Sequence, residues 1–96
     1  MFEHKKIKMG KVGIEAFLIF LSSKKLILLK GRKGYVMCGY LNLRVAEKFK
    51  DVAVKVTGVS TIEEAINSVV SGCTSRARQL GIRKGQSIRD VLKAIA

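Results

Sequence analysis

The chain contains no proline and no tryptophan, one histidine, two cysteines, and seven acidic residues against nineteen lysines and arginines. Most of these scarcities remove a class of explanation. Cys38 and Cys73 form no C-x-x-C pair, and with His4 as the single histidine there are too few soft ligands for a zinc site, which needs about four. No metal or cofactor is expected. No apolar run reaches the roughly 18 residues of a membrane span, so no membrane segment is expected. Without tryptophan, a base-stacking platform rests on Tyr35 and Tyr40, which have opposite parity and face opposite sides of a regular strand. No P-loop, zinc-finger spacing or RNA-recognition signature is present. The missing proline has no physical explanation in the sequence.

The longest apolar piece, Val12 to Leu21, follows the basic start MFEHKKIKMGK, as the core of a signal peptide does. Glu15 interrupts it, and Ser22-Ser23-Lys24-Lys25 follows where small residues would be needed for cleavage. The signal reading is rejected and a cytoplasmic location is expected. In that compartment the two cysteines stay reduced.

With 96 residues and 48% hydrophobic content, the chain suffices for one domain with one modest core. An oligomer is a natural way to add stability. The net charge of +12 has two readings, an anionic partner or a solvated basic surface.

Hydrophobic periodicity predicts an α+β domain: an N-terminal antiparallel β meander, then a β-α-β crossover and C-terminal helices. Glu3 to Met9, Val12 to Leu21 and KLILLK read as three strands, with a turn at Ser22-Ser23. In the second strand Val12, Ile14, Ala16, Leu18 and Phe20 share one face, and Phe17, Ile19 and Leu21 the other. A strand apolar on both faces is buried inside the domain or against another subunit. Region 1–33 is therefore the expected oligomerisation region, and 34–96 the core. In KGRKG, Gly31 and Gly34 are expected to supply positive φ.

The crossover is read as strand 34–41, helix 42–50 and strand 52–59. Asn42 caps the helix, whose buried face is Leu41, Val45, Ala46 and Phe49. Ser60 with Glu63, or Thr61 with Glu64, fits a capping box before Ile62, Ala65 and Ile66. Val69, Cys73, Ala77 and Leu80 are spaced as one stripe of a further helix ending at Gly81. Ser87 caps a last helix with Ile88, Val91, Leu92 and Ile95 inward.

Ligands of such sheets bind beyond the carboxyl ends of parallel strands. That topology makes Asn42, Ser60 and Thr61 candidates for an anion site and places Cys38 beside them, with Gly39 read as a place where the chain approaches closely. Cys38 is either a core thiol or a nucleophile. The second reading needs a base, and the lone His4, in a terminal arm, could supply one only across a subunit interface. Lys24, Lys25, Lys30, Arg32 and Lys33 cluster around one hairpin. Of these, Lys30, Arg32 and Lys33 are taken as anion-binding candidates. Arg76, Arg78, Arg83, Lys84 and Arg89 form a second basic group. GIRKGQSIRDVL joins two helices, but its turn is too long for a convincing helix-turn-helix, and Ile82 is expected to be buried.

Three blocks, GYVMCGYLN at 34–42, VTGVSTIEEAI at 56–66 and RQLGIRKGQSIRDVL at 78–92, resemble in order and spacing the YunC-like family of uncharacterised small bacterial and archaeal proteins. The resemblance implies an α+β fold and a tetramer assembled through the N-terminal β region. It supplies no catalytic or binding residues. The sequence thus assigns no specific activity. It leaves three readings: a homo-oligomeric protein without an assigned biochemical role, a basic module binding an anionic ligand (nucleotide or nucleic acid), and an enzyme using Cys38 in a subunit-interface pocket.

Overall fold

The computed structural model describes residues 2–39 and 41–96. Its strands are β1 (Phe2–Met9), β2 (Val12–Leu21), β3 (Lys24–Lys30), β4 (Tyr35–Met37), β5 (Ala53–Lys55) and β6 (Gly72–Cys73). Its helices are α1 (Leu43–Lys48), α2 (Ile62–Ile66), α3 (Ser75–Gln79) and α4 (Ile88–Ile95). One mixed sheet runs in the order β1-β2-β3-β4-β5-β6. Neighbours are antiparallel except β4 and β5, the parallel pair joined through α1. The expected meander, crossover and C-terminal helices are all present.

Period two sets the inner face of the sheet. Ile14, Ala16, Ile27, Leu29, Val36 and Val54 point to one side and are almost wholly buried. There they meet Ile62 and Ala65 of α2 and Ile88, Val91, Leu92 and Ile95 of α4. The spacing of those four α4 residues makes one apolar stripe, and Ser87 opens the helix by accepting the Arg89 amide on Oγ at 3.2 Å. On the outer face, α1 covers only the far end, where Ala46 packs with Ala53, Leu41, Tyr35, Met37 and Leu43.

Several expectations are corrected. The crossover strands are shorter than 34–41 and 52–59: β4 ends at Met37, after which only the Cys38 amide still pairs with β3, and β5 ends at Lys55, after which the Val56 amide still bonds the Met37 carbonyl. Of the expected buried face of α1, Leu41 and Ala46 are buried, while Val45 is 47% and Phe49 72% exposed. The helical stripe through Val69, Cys73, Ala77 and Leu80 does not exist. Gly72 and Cys73 form β6 against β5, Val69 bridges Ser87, and the helix starts only after Thr74. The 4-4-3 spacing was coincidental: β-branched Val69 and Val70 beside Gly72 favour extended backbone. Thr74 knots this region from a fully buried position. Its Oγ donates to the Asp51 carbonyl at 2.6 Å and accepts the amides of Ala53 and Ala77.

Gly31 and Gly34 do not adopt positive φ, unlike Gly10, Gly58, Gly81 and Gly85. They are glycine because the backbone passes too close for a side chain. A Cβ on Gly31 would overlap the Ile95 carbonyl, and one on Gly34 would lie 2.5 Å from the Val52 oxygen. Gly81, just past α3, has φ of 90°, as its capping role requires.

Tyr35 ties the start of the parallel pair together, its hydroxyl donating to Asp51 Oδ2 at 2.9 Å. Desolvation, with the hydrogen bond to and charge of Asp51, pushes its pKa from 10.0 up to about 12. A raised folded-state pKa adds stability that is complete below pH 10 and is lost as pH rises through about 12. Urea midpoints measured between those limits should therefore fall more steeply for the native chain than for Tyr35→Phe.

Candidate functional site

The parallel pair has one carboxyl edge, and there the structure opens a cleft of about 440 Å³. It is lined by Ser23, Lys24 and Lys25 from the β2–β3 turn and β3, Cys38 and Gly39 after β4, and Gly58, Val59 and Ser60 after β5. Among the described lining residues, Lys24 and Lys25 are the charged groups, and Lys25 also borders a groove with Glu3 and Glu63. The one contact within 4 Å between a basic and an acidic side chain among the described residues is His4 Nε2–Glu15 Oε2 at 3.6 Å, so neither lysine has a carboxylate at that distance. Lys25 also lies over the Phe20 ring, its Nζ 5.2 Å from the centroid.

Cys38 is 4% exposed at the cleft wall. Its amide donates to the Ile27 carbonyl at 3.1 Å, continuing the β3–β4 ladder. Its own carbonyl turns aside to accept from Leu41, and Sγ takes its place, accepting the Ile27 amide at 3.3 Å. The thiol in turn donates to the Lys25 carbonyl at 3.7 Å. Cysteine here closes a sheet whose backbone is leaving it. Replacement by alanine strands the buried Ile27 N–H. Cys38→Ala should cost about 1–3 kcal/mol, and Cys38→Ser, which keeps a donor and acceptor, should cost less, as read from urea midpoints.

The sequence candidates divide into separate groups. Cys38 and Ser60 share the cleft. Thr61 is the α2 cap: its Oγ accepts the Glu64 amide at 3.0 Å, while Glu64 Oε1 accepts the Ser60 amide at 2.7 Å. The chain's own oxygens therefore occupy two amides at that opening, and Glu63 and Glu64 stand in its first turn. Asn42 caps α1, its Oδ1 accepting the amides of Arg44 and Val45, and is not part of the cleft lining. Lys30, Arg32 and Lys33 gather at the opposite end, around a notch that also contains Tyr35 and Asp51. The seven residues of β3 set them roughly 20 Å from Lys24.

The basic hairpin is thus two clusters, and the lysines that reach the cleft, Lys24 and Lys25, were not singled out as ligands by the sequence. Their signal was the β3–β4 register, which brings the Lys25 carbonyl beside Cys38. His4 is not in a loose arm. It lies within β1, stacked on Phe17 with ring centroids 4.7 Å apart. In the second basic group, three arginines brace loops. Arg78 donates to the Cys73 carbonyl, Arg83 to the Arg78 and Ile82 carbonyls, and Arg89 to Asn67 Oδ1. Ile82 is 1% exposed, and residues 80–87 between α3 and α4 pair with the segment around Val70 instead of forming a tight turn. Among the described residues, no helix is long and apolar enough to cross a membrane.

Comparison with known proteins agrees with this architecture. The crystal structure of a protein of unknown function, TA1206 from Thermoplasma acidophilum, superimposes with a TM-score of 0.96 at 33% identity, over all of this chain and 94% of that one. The uncharacterized protein YunC of Bacillus subtilis (strain 168) is 38% identical over 63 residues. That match covers 62% of this chain and 62% of YunC, less than two thirds of the relative's length. Residues 37–95, from the end of β4 through α4, match the family described as Domain of unknown function (DUF1805). The chain belongs to that family, and its relatives are uncharacterised proteins.

Proposed function

We propose that this protein is a homo-oligomeric binding module for a small anionic ligand, held in the cleft at the carboxyl edge of β4 and β5. The observation that carries the reading is the cleft lining: Lys24 and Lys25 are the charged groups among its described residues, at the edge where such sheets bind ligands. The enzyme reading has less support, because both hydrogen-bond partners of the Cys38 thiol are backbone groups. Nucleic-acid binding has less support too, since Arg78, Arg83 and Arg89 are engaged within the chain.

Assembly through the N-terminal meander, to the tetramer that the YunC-like resemblance implies, belongs to the same proposal. Phe17, Ile19 and Leu28 on the outer face of β2 and β3 are only half-buried, and Phe2 beside them is 58% exposed. The edge strand β1 carries Lys5, Lys6 and Lys8, which discourage strand addition and favour contact through the face. Two free cysteines suit the reducing cytoplasm, the location proposed here.

A thermal-shift screen against an anionic metabolite panel tests the binding reading. A ligand at 100 times its Kd stabilises by about 2.7 kcal/mol, which for a domain of this size raises Tm by about 10–20 °C. A panel of phosphorylated and carboxylated compounds without effect at millimolar concentration would argue against the module.

A further inference from the structure

We infer that two copies of the chain pack meander on meander about a two-fold axis parallel to the strands, so that α1 of each covers the β1 edge of the other. The inference rests on the homo-oligomer reading and assigns its interface. Strand register sets two largely apolar rows across the outer face of β1–β3: Phe2, Ile19 and Leu26, then His4, Phe17 and Leu28. An antiparallel sheet face left to water carries polar residues instead.

The same surface continues onto α1. Leu43 and Glu47 of this helix point toward β6. Leu43 Cδ1 is the atom that a Cβ on Gly72 would meet, at 2.9 Å, and both Glu47 oxygens accept the Ser75 amide. At about 100° per residue, Val45 and Phe49 stand on the opposite flank, toward β3, and both are exposed. The outer surface is therefore a floor three strands wide beside a wall one helix high.

That shape is its own complement. Sheets stack about 10 Å apart and a helix is about 10–12 Å thick, so α1 fills the layer in which a second sheet would lie. With the two-fold axis across the strands, both α1 helices fall over β4 and β5 and collide when the faces overlap. With the axis along the strands at β2, β3, β2 and β1 of the other copy lie over β1, β2 and β3. Through Ala46, α1 sits over β4 and β5, roughly 7 Å beyond the line of β3. A helix of about 5 Å radius placed there touches β1 of the other copy without overlapping it. The contact covers the unpaired backbone of an edge strand. It also adds area. The floor alone, about 14 Å by 25 Å, is small beside the roughly 800 Å² that each partner gives to a standard interface. The chain exposes 5948 Å², against about 5,500 Å² for a compact monomer of 10.6 kDa, so it carries surface to lose.

A two-fold axis along the strands keeps residues level. Phe49 stands near the row of Tyr35 and Ala53, which continues through Lys30 and Glu15 to Lys6. Phe49 of one copy thus meets Lys6 of the other, stem and ammonium against the ring. Glu15, at the centre of that row, counters the lysines on either side.

Light scattering of the full chain and its variants tests the arrangement. Phe49→Lys sets a cation against Lys6 of the other copy. It should weaken association at least about tenfold while keeping the far-UV circular dichroism of the native chain. A Lys6→Cys/Phe49→Cys variant checks the axis. Within one chain these positions lie more than three strand spacings apart, roughly 15 Å or more, beyond the reach of a disulfide. Mild oxidation should therefore give covalent dimers with the double variant and not with either single variant. If Phe49→Lys associates like the native chain, or the double variant cross-links no better than the single ones, the α1 contact is overturned and the meander reading stands. A native chain that is monomeric removes both.

Discussion

Replacing Gly31 with alanine should destabilise the domain by about 3 kcal/mol, a large part of the total for a chain of this size. The new methyl group would overlap the carbonyl of Ile95, with the carbonyl carbon 2.6 Å away and Ile14 Cδ1 at 3.0 Å. Neither neighbour can yield cheaply. The Ile95 oxygen also accepts the Lys33 amide at 2.9 Å, so moving it loosens the bond between α4 and the β3–β4 turn. Ile14 is wholly buried in the core. Gly39→Ala is the internal control. With open space around its Cβ and no positive φ, it should lie within about 1 kcal/mol of the native chain. Urea unfolding of both variants checks the contrast. Equal midpoints would mean that the α4 terminus does not dock on the turn.

Substituting lysine at Phe17 and Leu28 together should dissociate the proposed oligomer. Both residues lie on the outer face of the sheet and are half-buried in the single chain, so the substitutions leave the inner core of Ile14, Ile27, Leu29 and α4 untouched. In an assembly through that face, they bring like charges from two copies together at a cost of several kcal/mol, which weakens association roughly hundredfold or more. Light scattering should show the native chain at an integral multiple of 10.6 kDa and the variant at the single-chain mass. A native chain already monomeric at high concentration would contradict assembly through the meander.

The parts of the fold that were legible in the sequence are short in range. Asn42, Thr61 and Ser87 cap the helices they precede, because a cap is decided by residues two or three positions away. The meander and crossover follow from a change of hydrophobic period from two to 3.6. Features set by tertiary contact were not legible. Gly31 and Gly34 look like turn glycines until the backbones of Ile95 and Val52 are brought against them. Cys73 mimics a helical stripe because Val69 and Ala77 fall at helical spacing, while its actual partner, Val54, comes from another part of the sheet. The cleft was half legible. The topological rule picked out Cys38 and Ser60, but Lys24 and Lys25 arrive through the pairing of β3 with β4. The basic cluster looked continuous because sequence distance hides the length of the strand between its two halves.

The location of the anion site is the central claim, and amide chemical-shift mapping by NMR tests it most directly. On titration with glycerol 3-phosphate, the shifts should concentrate at Ser23–Lys25, Cys38–Gly39 and Gly58–Ser60. Shifts concentrated instead at Lys30–Lys33, or at Arg76, Arg83 and Lys84, would place anion binding elsewhere and contradict the assignment of the cleft.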